Sequence, residues 1–280
     1  MKIGVAAIAK NEALYIKEWI AHYLSLGFDE IIIGDNVSDD GTSEILERLG
    51  RAGVIRNIRF PTGSVPPQIP FYDQVIQQVR GRLDVLCIFD IDEFLFSVGG
   101  KTDVREVISK LFADESVSAA VVNWCVFGSS GQVELTEGLL VERFKRHGTL
   151  GFGANRHYKA MIRPERIYGM HNPHHPAPLT GRVIDSMGRG LKCLPLRDGG
   201  AHFGVSEQAT WDALILNHYF CKSLHEFKSI KLPKGLADSH RQRKIEQFHA
   251  HDVNQLELFD LGGHADVLRS YIRKLEGFLE

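Results

Sequence analysis

A chain of 280 residues, 44% apolar and 24% charged, has the make-up of a soluble globular protein, with room for one large domain or a domain with an appendage. Its 33 lysines and arginines against 35 acids give a formal charge of -2, which excludes the basic excess typical of nucleic-acid-binding proteins. The apolar amino-terminal run stops at Lys10, too early for a secretory signal, and no later run approaches the roughly 20 apolar residues of a membrane helix.

A cytoplasmic protein is therefore expected. Cys87, Cys125, Cys193 and Cys221 show no CxxC spacing and are expected as buried, reduced thiols.

In chain order, residues 3–9 form an apolar run. Residues 12–26 then carry Leu14, Ile16, Trp19, Ile20, Tyr23 and Leu24 at helical spacing up to Gly27, which predicts a strand followed by a helix. The pattern repeats with an apolar, β-branched run at 30–34, a polar loop at 35–40 and a helix at 42–49 before Gly50. A third strand is predicted at 54–60, a helix at 72–83, and a short, fully apolar strand at 85–89. A helix over 103–112 and a strand over 117–124 follow. Residues 128–204 are irregular and rich in Gly, Arg and His, suited to acceptor-binding loops. Helices are predicted at 212–223, 224–231, 239–249 and 265–279.

Strands alternating with helices predict an α/β fold, a mostly parallel sheet covered on both faces. Ligands of such sheets bind beyond the carboxyl ends of the strands. A polar cluster follows each of three predicted strands: Lys10-Asn11-Glu12, Asp35-Asn36 with Ser38-Asp39-Asp40, and Asp90-Ile91-Asp92-Glu93. All three should meet at one edge.

The third cluster interrupts apolar 85–89 and 94–96, read as a hairpin or strand pair, where uncompensated charge is costly. Aspartates two apart at a strand end can hold a hard divalent cation that bridges a diphosphate and, as a Lewis acid, stabilises the departing charge. The plainer alternative is a set of loop acids that cap a helix or solvate a turn.

The ordered series of segments resembles the glycosyltransferase-A fold families, specifically the group around glycosyltransferase family 92 and its family 2 relatives, over most of the chain. The matching residues are Lys10-Asn11-Glu12, Glu18-Trp19, His22-Tyr23, Asp35-Asn36, Ser38-Asp39 and Phe89-Asp90-Ile91-Asp92-Glu93-Phe94. Looser matches follow at Trp124, Phe127-Gly128, Glu142-Arg143-Phe144, Lys159, Arg163-Pro164, His171, His218-Tyr219, Lys222-Ser223 and Glu226-Phe227.

The resemblance implies a Rossmann-like sheet with flanking helices and a helical carboxyl-terminal region. It implies a nucleotide-sugar-binding half over 1–125 and an acceptor half over 126–280, within one continuous domain. It also implies inverting transfer of a sugar from a nucleotide-diphosphate sugar, UDP-linked, to a hydroxyl of a glycan or lipid-linked acceptor, with Mn2+ or Mg2+ as cofactor.

Within that scheme Lys10, Asn11, Glu12, Asp35 and Asp39 are placed to contact the donor. Loop solvation or capping is the simpler role: Glu12 serving its helix's first turn, Ser38 or Asp39 capping the helix that starts near Thr42. Asp90 is similar to the ribose or metal carboxylate and Asp92 to the direct metal ligand, with Glu93 orienting a metal ligand or pairing with a nearby cation. His218 or His171 would complete the metal site; His174, His175 and His202 stay open, the first two as a separate site. Lys159 and Lys222, with Arg143 and Arg163, are candidates to meet the diphosphate. Glu142 is the candidate general base, against a structural ion pair with Arg143, and Asp185 and Asp198 remain alternatives. The terminal helix, with Leu268, Tyr271, Ile272 and Leu275 in an apolar stripe, is expected to dock on the domain; peripheral membrane contact or a homodimer is the alternative. A non-catalytic nucleotide-sugar or carbohydrate-binding module on the same fold is the competing reading. A nucleotidyltransferase would need a Gly-rich, lysine-containing loop near the first strand, which this sequence does not carry.

Overall fold

The computed structural model describes residues 1–61, 63, 65–100, 103–237, 239, 241–257 and 263–280. Among them a central sheet is built from β1 (Ile3–Ala9), β2 (Glu30–Asp35), β3 (Arg56–Arg59), β4 (Val85–Ile88), β5 (Glu93–Ser97), β6 (Val117–Val126), β7 (Tyr158–Ile162), β8 (Arg182–Ile184) and β9 (Leu214–His218). Its order is β3-β2-β1-β4-β7-β6-β9-β5, with β8 alongside the start of β6. The β3-β2-β1-β4 ladders are parallel, β7 runs antiparallel between β4 and β6, β9 is parallel to β6, and β5 is antiparallel to β9. This is the expected α/β, mostly parallel architecture. Strands from both halves of the chain share the one sheet.

Side chains alternate between two cores. Ile3, Val5, Ala7, Ile31, Ile33, Val85 and Cys87 face one; Ala6, Ile32, Leu86 and Ile88 face the other. A sheet buried on both faces needs near-continuous apolar strands, which is how β1, β2 and β4 read in sequence. The first face is covered by α1 (Ile16–Ser25), α2 (Thr42–Arg51) and, further along the chain, α4 (Val104–Leu111), while α3 (Gln68–Val79) lies on the second. Gly34 in β2 lets α3 approach closely, because a methyl there would run into the Phe71 ring. Further on are α5 (Ile245–His251) and α6 (His264–Glu276). The terminal helix α6 packs along α1 and buries Leu268 and Leu275 in the first core.

Several elements differ from the sequence expectation. Residues 212–223 were expected as a helix, but Leu214–His218 is strand β9, wedged between β5 and β6. A short apolar run fits a buried strand and a buried helix equally, and pairing on both sides decides for the strand. β4 and β5 do not pair with each other; the acidic turn carries the chain across to β9. Helix α3 begins at Gln68, directly after Pro66-Pro67, one turn before the predicted start. Helix α1 starts only at Ile16; ahead of it Asn11 has φ +53, outside the helical region, and the backbone N–H groups of Asn11, Glu12 and Ala13 donate to Ser38, Thr42 and Asp40. Helix α5 covers only part of the predicted 239–249 segment. The region 128–204, expected to be irregular, supplies β7 and β8.

Candidate active site

Register places the carboxyl ends of β1, β2 and β4 together, since Ala9 pairs with Asp35 and Ala6 with Ile88. Strands β6 and β9 end at the same edge, where antiparallel β5 and β7 begin, so Trp124, His218, Glu93 and Lys159 join the three polar clusters there. Ligands bind at this edge in open α/β sheets.

The first two clusters are stitched to each other. Asn11, with φ +53, donates from Nδ2 to Asp39 Oδ1 at 2.8 Å and accepts the Asp39 backbone N–H at 3.0 Å. Asp35 is buried and accepts from Ser38 N and Ser43 Oγ. The first N–H of helix α2, that of Thr42, donates to Asp40 Oδ1 at 3.0 Å, not to Ser38 or Asp39. Asn11, Asp35 and Asp39 thus hold the loops in shape, while Lys10 and Glu12 line the cleft. The Lys10 ammonium donates to the Asn36 and Val37 carbonyls at 3.0 and 2.7 Å.

In the acidic turn, Asp90 Oδ1 accepts from Gln68 Nε2 and Tyr72 OH at 2.9 and 3.1 Å, and Oδ2 accepts from Lys159 Nζ at 2.8 Å. Glu93 is fully buried. One of its oxygens accepts the Asp90 backbone N–H at 2.7 Å and the other the Trp124 indole N–H at 2.7 Å. The Trp19 indole donates to the Asp90 and Glu93 carbonyls, which fixes the turn from α1. Burial pushes the Glu93 carboxyl well above its usual range; Lys159 opposes the rise and the Asp90 and Asp92 charges add to it. Burial would lower Lys159, but Asp90 and Glu93 reverse the sign and hold its ammonium more basic than usual. An ammonium with none of its side chain exposed is tolerable only with such partners.

Asp92 faces the cleft. Its Oδ2 meets Lys231 Nζ at 2.6 Å and Lys222 Nζ at 4.0 Å, and its Oδ1 lies 3.5 Å from His218 Nε2. Burial alone would raise the Asp92 carboxyl, but Lys231, His218 and Lys222 overcome it and hold it well below the carboxylate range. Burial lowers His218 to about 4 against the pull of Asp92, so the imidazole is neutral at pH 7. Burial also lowers Lys231, to about 8, with Asp92 opposing. The His218 Nδ1 is buried without a hydrogen-bond partner among the described residues. Asp92 Oδ1 and His218 Nε2 are close enough to share one divalent ion with bonds of about 2 Å. No group of three or more His, Cys, Asp or Glu placed to hold a metal occurs among the described residues. The pair therefore suits an ion that takes its other ligands from phosphates and water.

Lys10, Glu12, Asp90, Asp92, Lys222 and His218 line a cleft of about 510 Å³, with Lys159 beneath its floor. His171 is exposed and Glu142 lies outside the cleft, where its carboxylate is held by Arg269 of α6 at 2.6 and 2.7 Å. The structure thus gives Glu142 an ion pair, with Arg269 rather than Arg143. Arg143 instead pairs with Glu226, which also accepts from Tyr15 OH at 2.8 Å. Asp185 is tied to Arg189, Asp198 sits in an exposed turn, and Arg163 donates to the Val117 and Phe112 carbonyls. His174 lines the cleft beside Trp124, whereas His175 bonds Tyr158 and His202 is exposed.

Sequence reasoning missed Gln68, Tyr72, Lys231 and Lys234. Lys231 and Lys234 belong to a helical segment over residues 224–234, where they read as the solvated face of an amphipathic helix. Lys234 crosses the cleft to Glu12 at 2.6 Å. All four cysteines are free thiols, and only Cys193 is not fully buried.

The α/β sheet thus gathers an acidic turn, a neutral histidine and several lysines at its carboxyl edge. The sequence model of glycosyltransferase family 92 matches residues 4–182, and the chain belongs to that family. Its sheet accords with the expected glycosyltransferase-A architecture. A family 92 protein of Ricinus communis is 27% identical over 169 residues, covering 56% of this chain and 28% of the relative. One of Arabidopsis thaliana is 23% identical over 238 residues, covering 81% and 36%. The chain spans about a third of the length of these curated relatives. Among solved structures, S. aureus TarS 1-349 in complex with UDP-GlcNAc aligns with a TM-score of 0.44 and 13% identity, over 99% of this chain and 73% of that one. Among the described residues no helix is long and apolar enough to cross a membrane.

Proposed function

We propose that this chain is a glycosyltransferase that moves a sugar, with inversion at the anomeric carbon, from a uridine diphosphate sugar to a hydroxyl of a glycan or glycolipid. Family membership supports the reaction class. The observation that carries the reading is the meeting of Asp92, His218, Lys222 and Lys231 in one cleft at the carboxyl edge of the sheet. A diphosphate needs concentrated positive charge as it departs, and preorganised cations in a partly dry cleft provide it without reorganisation.

Asp92 and His218 would hold Mn2+ or Mg2+, whose chemistry is to withdraw charge from the leaving diphosphate as a Lewis acid. Lys222 would meet a phosphate oxygen beside it. Asp90 is anchored by Gln68, Tyr72 and Lys159, with its carboxylate still partly open to the cleft, and this suits it to a ribose hydroxyl. Lys10 and Glu12 form the wall for the rest of the nucleoside.

The test is release of free nucleotide from a panel of nucleotide sugars, each supplied with Mn2+ or with chelator and a mixed set of glycan acceptors. Turnover of at least one UDP-sugar, and none of the purine donors, is expected. Tight nucleotide binding with no donor ever turned over would establish the non-catalytic binding module instead.

A further inference from the structure

Lys231 occupies the carboxylate that the proposed metal needs. Its ammonium donates to Asp92 Oδ2 at 2.6 Å and to the Phe220 carbonyl at 2.9 Å, lies 4.0 Å from the centre of the Phe220 ring, and has no second carboxylate partner among the described residues. The side chain is only 13% exposed, so water does little to screen the contact. A divalent ion arriving at Asp92 in this arrangement meets a fixed positive charge, and like charges this close disfavour binding.

Lys231 stands on a stretch of π-type pitch, Phe227–Lys231, a rare geometry that is frequent at functional sites. The same segment sends Lys234 to Glu12 on the far wall, and it ends at Gly235, whose φ of +69 suits glycine. Two ammonium groups from one segment therefore clasp carboxylates on both sides of the cleft, and both carboxylates line the space assigned to the donor.

Resting on the reading of this cleft as a nucleotide-diphosphate-sugar site, we propose that Lys231 is a built-in competitor for the divalent cation. It neutralises Asp92 while the donor is absent and releases the carboxylate when a nucleoside diphosphate offers its ammonium a phosphate oxygen instead. Metal and nucleotide then bind with strong mutual dependence: each clears or fills the place the other requires. Linkage makes the effect reciprocal, so UDP tightens the metal by the factor by which the metal tightens UDP. Lys231 acts as a positioning residue, through Asp92.

Calorimetry of Mn2+ binding to the full chain, with and without UDP, tests this without any turnover. For the wild type, UDP should tighten Mn2+ about 10-fold or more. Lys231→Ala should bind Mn2+ more tightly than wild type without UDP and show a smaller coupling, keeping only the part that comes from phosphate oxygens binding the ion, and Lys231→Arg should restore the full coupling. Lys234→Ala breaks the other bridge of the segment; it should leave Mn2+ affinity without UDP unchanged, which separates competition at Asp92 from loosening of the segment. Circular dichroism checks that each variant is folded.

Equal coupling in wild type and Lys231→Ala, or weaker Mn2+ binding in the variant without UDP, overturns the proposal alone. UDP binding with no Mn2+ binding in any of these proteins overturns it together with the metal reading.

Discussion

Lys159, fully buried, pairs with the partly open Asp90 at the floor of the cleft, 2.8 Å apart, with the buried Glu93 Oε2 a further 3.8 Å contact of the same ammonium. One cation thus compensates two carboxylates on opposite sides of the acidic turn. Breaking such a pair by removing one partner leaves charge buried and unpaired, at a cost of about 3–5 kcal/mol.

Lys159→Met keeps length and apolar volume while deleting the charge. It is expected to lower unfolding stability by about 3 kcal/mol or more in urea titrations, and adding Glu93→Gln to it should recover part of the loss. A single-variant cost below about 1 kcal/mol would place the pair among solvent-screened bridges.

Glu18 predicts a pH dependence away from the cleft. Its carboxylate, reaching from α1, accepts the backbone N–H groups of Leu140 and Val141 at 2.8 and 3.3 Å. Burial raises it from 4.5 to about 7, with those two N–H groups opposing and the Glu142 charge adding to the rise. The folded chain therefore binds this proton more tightly than the unfolded chain. Its contribution is most favourable below the unfolded value and is lost as pH rises from about 4.5 through about 7. Over that window the wild type should lose about 3 kcal/mol relative to Glu18→Gln, read as the difference between their urea curves at pH 5 and pH 8. A constant difference would show that Glu18 stays ionised throughout.

Much of the site was legible because β1, β2 and β4 are uninterrupted apolar runs, each ending in a polar cluster, and parallel pairing must bring such ends to one edge. The elements that hid are those where function disturbs the pattern. Strand β7 contains Lys159, and a lysine inside a five-residue strand erases the apolar signature although that lysine is fully buried. Strand β9 is a short apolar run that ends in Asn217-His218, too brief for periodicity to separate strand from helix. Lys231 and Lys234 look like any solvated helix face, since nothing local announces that their partners, Asp92 and Glu12, lie 139 and 222 residues away in sequence. Glu142 stood beside Arg143 in sequence, but the side chains point to different partners, Arg269 and Glu226.

Asp92→Asn is the sharpest test of whether Asp92 carries the proposed cation that assists departure of the diphosphate. The exchange keeps size and polarity but removes the charge, and Lys231 and Lys222 remain beside it. Nucleotide release from the preferred donor should be measured across a Mn2+ titration for both proteins, with folding checked by circular dichroism. Asp92→Asn is expected to lose Mn2+-stimulated release by about 100-fold or more. The same Mn2+ response in wild type and variant would contradict it.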